Sequence, residues 1–169
     1  MKISILDIGI SNIFSLKTCI ENLGYKPNTI QSENEINDTD KLIFPGVGSF
    51  KAAMDKINEL KLSSTLRKNI IELKKPFLGI CVGMQIMAKA SDEGELKGLG
   101  WFDAEVKLFD SNTIKHKPKL PHMGWNEIKP EMEHPVLKEI DLEKGYYFLH
   151  SFYFKCLDQD DVLATAEYG

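Results

Sequence analysis

Cysteine is scarce: Cys19, Cys81 and Cys156 are the only three in 169 residues. They are odd in number, widely spaced and form no Cys-x-x-Cys pair. A disulfide framework and a structural zinc site are therefore disfavoured, and a reducing cytoplasm fits best. Uncharged apolar runs are also short, none approaching the ~20 residues of a membrane span. The opening Met1-Lys2-Ile3-Ser4-Ile5-Leu6-Asp7 is interrupted by an acid and reads as a first strand, not a signal peptide. Positive charge is not in excess. Lys and Arg number 21 against 25 Asp and Glu, a formal net charge of −4, which argues against nucleic acid as the main partner. There is no internal repeat, low-complexity tract or linker. What remains is the ordinary mixture of a globular domain, 43% hydrophobic and 27% charged, long enough for one domain with its own core.

The first half alternates between two periodicities. Residues 3–8 form an apolar run suited to a strand, and Gly9-Ile10-Ser11-Asn12 a turn whose Ser11 or Asn12 can cap a helix. Ile13, Leu16, Ile20 and Leu23 follow at helical spacing, with Gly24 as the stop. Residues 27–30 are a second strand, residues 31–40 a polar, acidic connection, and residues 41–44 a third strand. Residues 50–60 and 66–74 read as helical. Strand and helix in alternation predict an α/β fold with a doubly wound, mostly parallel sheet. Beyond Ser91 the pattern changes. Residues 104–109, 125–128, 146–154 and 161–166 are strand candidates rich in aromatic and β-branched residues. The C-terminal half is thus expected to be β-rich, partly antiparallel and attached to the first sheet, within one domain over residues 1–169.

The chain is organised around Pro76-Phe77-Leu78-Gly79-Ile80-Cys81-Val82-Gly83-Met84-Gln85. A short buried strand runs into Cys81, and a helix, expected to reach residue 89, starts at once. Gly79 and Gly83 flank the cysteine at i−2 and i+2, the spacing of a nucleophile elbow with sulfur in place of a hydroxyl. The turn must be tight, so its flanks must be small. The positive end of the following helix favours an anionic nucleophile. The residue after such a nucleophile lends its backbone N–H to a developing oxyanion, here Val82. On spacing alone Cys81 is equally a nucleophile or a small buried hydrophobe. Met84 and Met87 read as core filling. His116 and His134 read as solvent-facing.

Four stretches, in order, resemble class I (triad-type) glutamine amidotransferases. They are the Cys81 segment, Phe44-Pro45-Gly46-Val47-Gly48-Ser49-Phe50, Leu120-Pro121-His122-Met123-Gly124-Trp125-Asn126, and Tyr147-Phe148-Leu149-His150-Ser151-Phe152-Tyr153. The last two are similar to segments of one branch, the glutaminase subunits of imidazole glycerol phosphate synthase in histidine biosynthesis. The resemblance implies an enzyme that hydrolyses L-glutamine through Cys81, with no cofactor or metal. It places a second oxyanion donor around Val47 and Gly48, in a peptide that reorients on activation. It assigns Gln85, His150 and Ser151 to glutamine binding. It puts His122, Met123, Gly124, Trp125 and Asn126 at the docking surface for a (β/α)8-barrel synthase (cyclase) subunit, in a heterodimer that receives the ammonia. Taken by themselves, the Pro45-Gly46 pair reads first as a plain turn and His150 first as a structural histidine, while Trp125 is equally an interface anchor or a core residue.

One element of the family pattern is missing. The catalytic His-Pro-Glu motif has no counterpart in these residues, since His134-Pro135 is followed by Val136. The expectation is a domain truncated before its catalytic His and Glu. Three alternatives stay open: a non-catalytic, partner-binding subunit; a glutaminase that supplies ammonia to a sugar amidotransferase in surface-polysaccharide biosynthesis; and a cysteine-elbow protein of the same sheet type acting as a redox sensor or on another amide.

Overall fold

The structure, a computed structural model, describes residues 1–94, 96–115 and 117–169. His116 lies outside them. Four strands, β1 (Ile3–Leu6), β2 (Asn28–Ile30), β3 (Lys41–Gly46) and β4 (Phe77–Cys81), form a wholly parallel sheet in the order β2-β1-β3-β4. The chain reverses its direction of winding between β1 and β3. In such sheets the crevice beyond the carboxyl ends at this point is where ligands bind.

Helix α1 (Ile13–Asn22) starts at Asn12, whose side chain accepts from the Ser15 N–H, and stops before Gly24 at φ +84°. Helix α2 (Glu33–Asn37) falls in the stretch expected to be a plain connection. A capping box forms it: Ser32 and Glu35 exchange side-chain and backbone hydrogen bonds, and Ile36 is fully buried one residue later. The Ser-x-x-Glu spacing was a readable signal for it. Helix α3 (Phe50–Glu59) buries Phe50, Ala53, Met54 and Ile57 on one face. Helix α4 (Ser63–Arg67) passes into a π-helical turn, Lys68–Glu72. The wider turn places Asn69 inside, where its Nδ2 donates to Asn37 Oδ1 at 2.8 Å and to Thr65 O at 2.9 Å, tying this turn to α2.

Helix α5 (Val82–Gln85) is much shorter than the helix expected to reach residue 89. The carbonyls of Ile86, Met87 and Ala88, which would continue it, accept instead from the N–H groups of Leu99, Trp101 and Gly100. The fold therefore uses residues 86–88 as a bridge into the second half. The buried face of α5 is Val82, Gly83 and Gln85. Met84, expected in the core, points the other way and is exposed, while Ile86 and Ala88 are buried.

The second half forms separate sheets; among the described residues none of its strands pairs with β4. Strands β5 (Ala90–Ser91), β6 (Leu96–Lys97), β7 (Ala104–Leu108) and β11 (Phe152–Cys156) make a mixed sheet ordered β11-β7-β5-β6. Strands β8 (His122–Asn126) and β10 (Tyr146–His150) form an antiparallel ribbon, and β9 (Lys129–Pro130) and β12 (Ala164–Thr165) a short pair. The single run expected over residues 146–154 is two strands, because the chain leaves one sheet for another at Ser151. Attachment to the first sheet is through side chains: Ala104 and Val106 join Leu42, Phe44, Val82 and Ile86 in one core, with Phe152 and Phe154 packed against it.

Candidate active site

Cys81 ends β4 and caps α5 with φ +55° and ψ −118°. A non-glycine residue at such angles is strained, and strain of this kind concentrates where a side chain must be held in a set direction. Here it projects an exposed thiol from the carboxyl edge of the sheet. Glycines make the turn possible by close approach. A Cβ on Gly83 would overlap the Phe44 carbonyl, and one on Gly79 the Gly83 carbonyl. A Cβ on Gly46 would lie 2.7 Å from the Gly83 nitrogen. All three are backbone obstructions, which no side-chain rotation relieves.

The same packing aligns the two halves of the expected oxyanion site. Parallel pairing of β3 with β4 sets Gly46 directly beside Cys81, so Val47 and Gly48 leave the sheet next to the nucleophile. Val82 is buried as the first residue of α5. Gly48 has φ +110°, reachable without strain only by glycine. Val47, however, does not present a donor to this space. Its N–H donates to the Ile10 carbonyl at 3.0 Å, although the residue is 63% exposed. The loop joining β1 to α1 therefore occupies the hydrogen bond that the oxyanion would need. Ile10 was not foreseen as part of the site. Nor was Glu93, whose carboxylate accepts from the Phe50 N–H at 2.7 Å and fixes the start of α3 just after this loop. No spacing rule in the sequence connects residue 93 to residue 50.

Gln85 is buried one turn after Cys81, and its Nε2 donates to the Phe152 carbonyl at 3.4 Å. His150 reaches the same oxygen through Nδ1 at 2.7 Å. A carbonyl can only accept, so Nδ1 carries a proton. Gln85 and His150 thus meet at Phe152, the residue that follows Ser151, and tie α5 to β11. The Ser151 carbonyl accepts from the Phe109 N–H at 3.1 Å. His150 also packs against Phe109, with ring centroids 5.4 Å apart, which agrees with a structural role for its ring.

The ribbon of β8 and β10 has two unlike faces. Register sets Trp125 opposite Tyr147 and Met123 opposite Leu149. All four are exposed, Trp125 at 73%, so Trp125 is no core residue. His122 lies on the other face, opposite His150, and is 4% exposed. Its ring stacks on Tyr168 at 3.9 Å and on Phe148 at 4.5 Å. Asn126 also turns inward, its Nδ2 donating to the Glu167 carbonyl at 2.8 Å. Of the five residues expected at a docking surface, Met123 and Trp125 therefore present side chains to solvent. His122 and Asn126 support them from behind.

His134, the other histidine followed by proline, is exposed and caps a 3-10 turn, its Nδ1 accepting from the Val136 N–H. Cys19 is exposed. Cys156 is partly buried, and burial, followed by the nearby Asp161 and Asp158 carboxylates, pushes its thiol pKa up. No group of three or more His, Cys, Asp or Glu residues among the described residues could hold a metal ion. No helix among them is long and apolar enough to cross a membrane.

A parallel α/β sheet that carries a strained cysteine elbow beside a glycine-rich turn at its carboxyl edge is an arrangement suited to nucleophilic amide chemistry. Comparison with known proteins agrees: the model of the family described as glutamine amidotransferase class-I matches residues 4–168. The chain belongs to the class-I glutamine amidotransferase family. It is 40% identical over 167 residues to the imidazole glycerol phosphate synthase subunit HisH of Leptospira borgpetersenii, covering 99% of this chain and 82% of that one. It is 37% identical to the HisH subunit of Leptospira interrogans, with the same coverage. A crystal structure of a glutamine amidotransferase superposes with a TM-score of 0.70 at 16% identity, over 97% of this chain and 79% of the other, a likeness of fold.

Proposed function

We propose that this protein is the glutaminase subunit of an imidazole glycerol phosphate synthase, acting in histidine biosynthesis in the cytoplasm as one half of a heterodimer. The Cys81 sulfur attacks the side-chain amide carbon of L-glutamine. The tetrahedral oxyanion collapses with departure of ammonia, and water hydrolyses the resulting thioester to glutamate and the free thiol. The observation that carries this reading is the pairing of Gly46 with Cys81, which aligns the oxyanion turn with the nucleophile. Val82 supplies one oxyanion donor. Val47 supplies the second only after its peptide turns away from Ile10.

The exposed ribbon face of Met123, Trp125, Tyr147 and Leu149 is the docking surface for a (β/α)8-barrel synthase subunit, which consumes the ammonia. A buried aromatic anchor with apolar neighbours is the usual centre of such an interface. Gln85, His150 and Ser151 shape the glutamine end of the pocket, Gln85 and His150 through their shared hold on Phe152. The general base is not assigned to His122, His134 or His150.

Replacement of Cys81 separates the two half-reactions. Cys81→Ser, assayed with the synthase subunit, is expected to lose glutamine-dependent synthesis by several orders of magnitude. Synthesis from added ammonium should survive unchanged. Loss of both would show that Cys81 is structural and that the division of labour is wrong.

A further inference from the structure

We propose that Ser11 is a positioning residue that holds the oxyanion turn in its resting orientation; the inference rests on the glutaminase reading above. Residues 9–12 cross the carboxyl end of β3 and grip it at two points. Ser11 Oγ donates to the Pro45 carbonyl at 2.5 Å, and the Ile10 carbonyl accepts the Val47 N–H at 3.0 Å. Adjacent residues of one loop thus hold residues on both sides of Gly46.

The two bonds do different work. Turning the Gly46–Val47 peptide toward Cys81 must break the second bond, because it removes the Val47 N–H from Ile10. It leaves the first in place, since the Pro45 carbonyl belongs to the preceding peptide. Ser11 therefore acts through Ile10. It fixes the loop at a second point, so the Ile10 carbonyl stays aimed at Val47. Neighbouring residues support this. The Ile10 side chain packs against the core, Ser11 is half-buried, and Asn12 is committed to capping α1. With a single attachment the loop would be held on its β1 side only by the Gly9 N–H, which donates to Asp7 Oδ1 at 2.8 Å. The hydroxyl is 34 residues away in sequence from its acceptor, a backbone carbonyl.

Removing the hydroxyl should loosen the resting orientation by the worth of one partly buried hydrogen bond, roughly two- to tenfold in population. The test uses the full-length protein, wild type and Ser11→Ala, with Ser11→Gly as a second deletion and Ser11→Thr as the conservative replacement. Amide exchange at Val47 is read first and needs no activity. It should quicken in Ser11→Ala and Ser11→Gly and stay near wild type in Ser11→Thr, at unchanged thermal stability of the core. Unstimulated glutamine turnover should rise by the same roughly two- to tenfold, with KM little altered, and stimulation by the synthase subunit should shrink in proportion. Unchanged Val47 exchange in both deletion variants would overturn the role of Ser11. Absence of glutamine hydrolysis by the wild-type complex would instead overturn the glutaminase reading, leaving the exchange data to decide on Ser11.

Discussion

The Val47 N–H donates to the Ile10 carbonyl, so the residue expected to stabilise the oxyanion spends its donor elsewhere. One missing donor of this kind costs about 10²–10³ in turnover in other hydrolases. The isolated subunit should therefore be nearly silent toward glutamine. Binding of the synthase subunit is expected to raise kcat by about 10²–10³, with a smaller change in KM. Steady-state glutamate release with and without the partner checks this, and equal rates would mean that the turn is already competent.

Close backbone approach at the elbow gives a stability prediction. Gly83→Ala places a methyl group against the Phe44 carbonyl, and α5 can escape only by lifting off β3. The expected loss is about 3 kcal/mol or more, read as a fall in the urea midpoint. Gly100→Ala is the control. It has open space around the new Cβ and a φ of +65°, so strain alone should cost about 1–2 kcal/mol.

Trp125 tests the ribbon face. Its side chain is largely exposed and touches Tyr147 edge-on with ring centroids 5.9 Å apart. Trp125→Ala should leave the melting temperature within a degree or two of wild type. The affinity for the synthase subunit should fall by ~2 kcal/mol or more, some thirtyfold. Titration calorimetry with both variants reads the difference. A large stability loss with unchanged affinity would return Trp125 to a structural role.

Acid dependence should reside partly in the α2 capping box. The Glu35 carboxylate accepts from the Ser32 hydroxyl at 2.6 Å and from the N–H groups of Ser32 and Gln31, and these bonds, the hydroxyl first, hold its pKa below the ordinary 4.5. The unfolded chain then binds the proton more readily than the folded one. The stabilisation is complete above 4.5 and fades as pH falls below it through the lowered value. Urea midpoints measured from about pH 6 to pH 3 should drop less steeply for Glu35→Gln than for wild type.

The elbow and the parallel sheet were legible because their signals are local. Gly79, Cys81 and Gly83 encode a tight turn by spacing, and β1, β3 and β4 are apolar runs next to turn residues. Helix α2 was equally local, in Ser32 and Glu35, but its polar composition hides it when hydrophobic periodicity is the guide. The shortness of α5 was not legible, because carbonyls of Ile86, Met87 and Ala88 are claimed by partners at residues 99–101, and nothing within the helix announces that competition. The bond from Val47 to Ile10 links residues far apart in sequence through backbone atoms alone, which no side-chain pattern records. Trp125 could be read as core or as surface until the β8–β10 register placed it on the face opposite His122.

Labelling with an electrophilic glutamine analogue, followed by intact mass and peptide mapping, addresses the nucleophile directly. Three thiols compete: exposed Cys19, partly buried Cys156 and exposed Cys81 on its strained elbow. One adduct is expected, on Cys81, formed faster with the synthase subunit bound and suppressed by L-glutamine. An unlabelled Cys81 in the full complex, or labelling of Cys19 and Cys81 alike without protection by glutamine, would contradict a glutamine-specific nucleophile at Cys81.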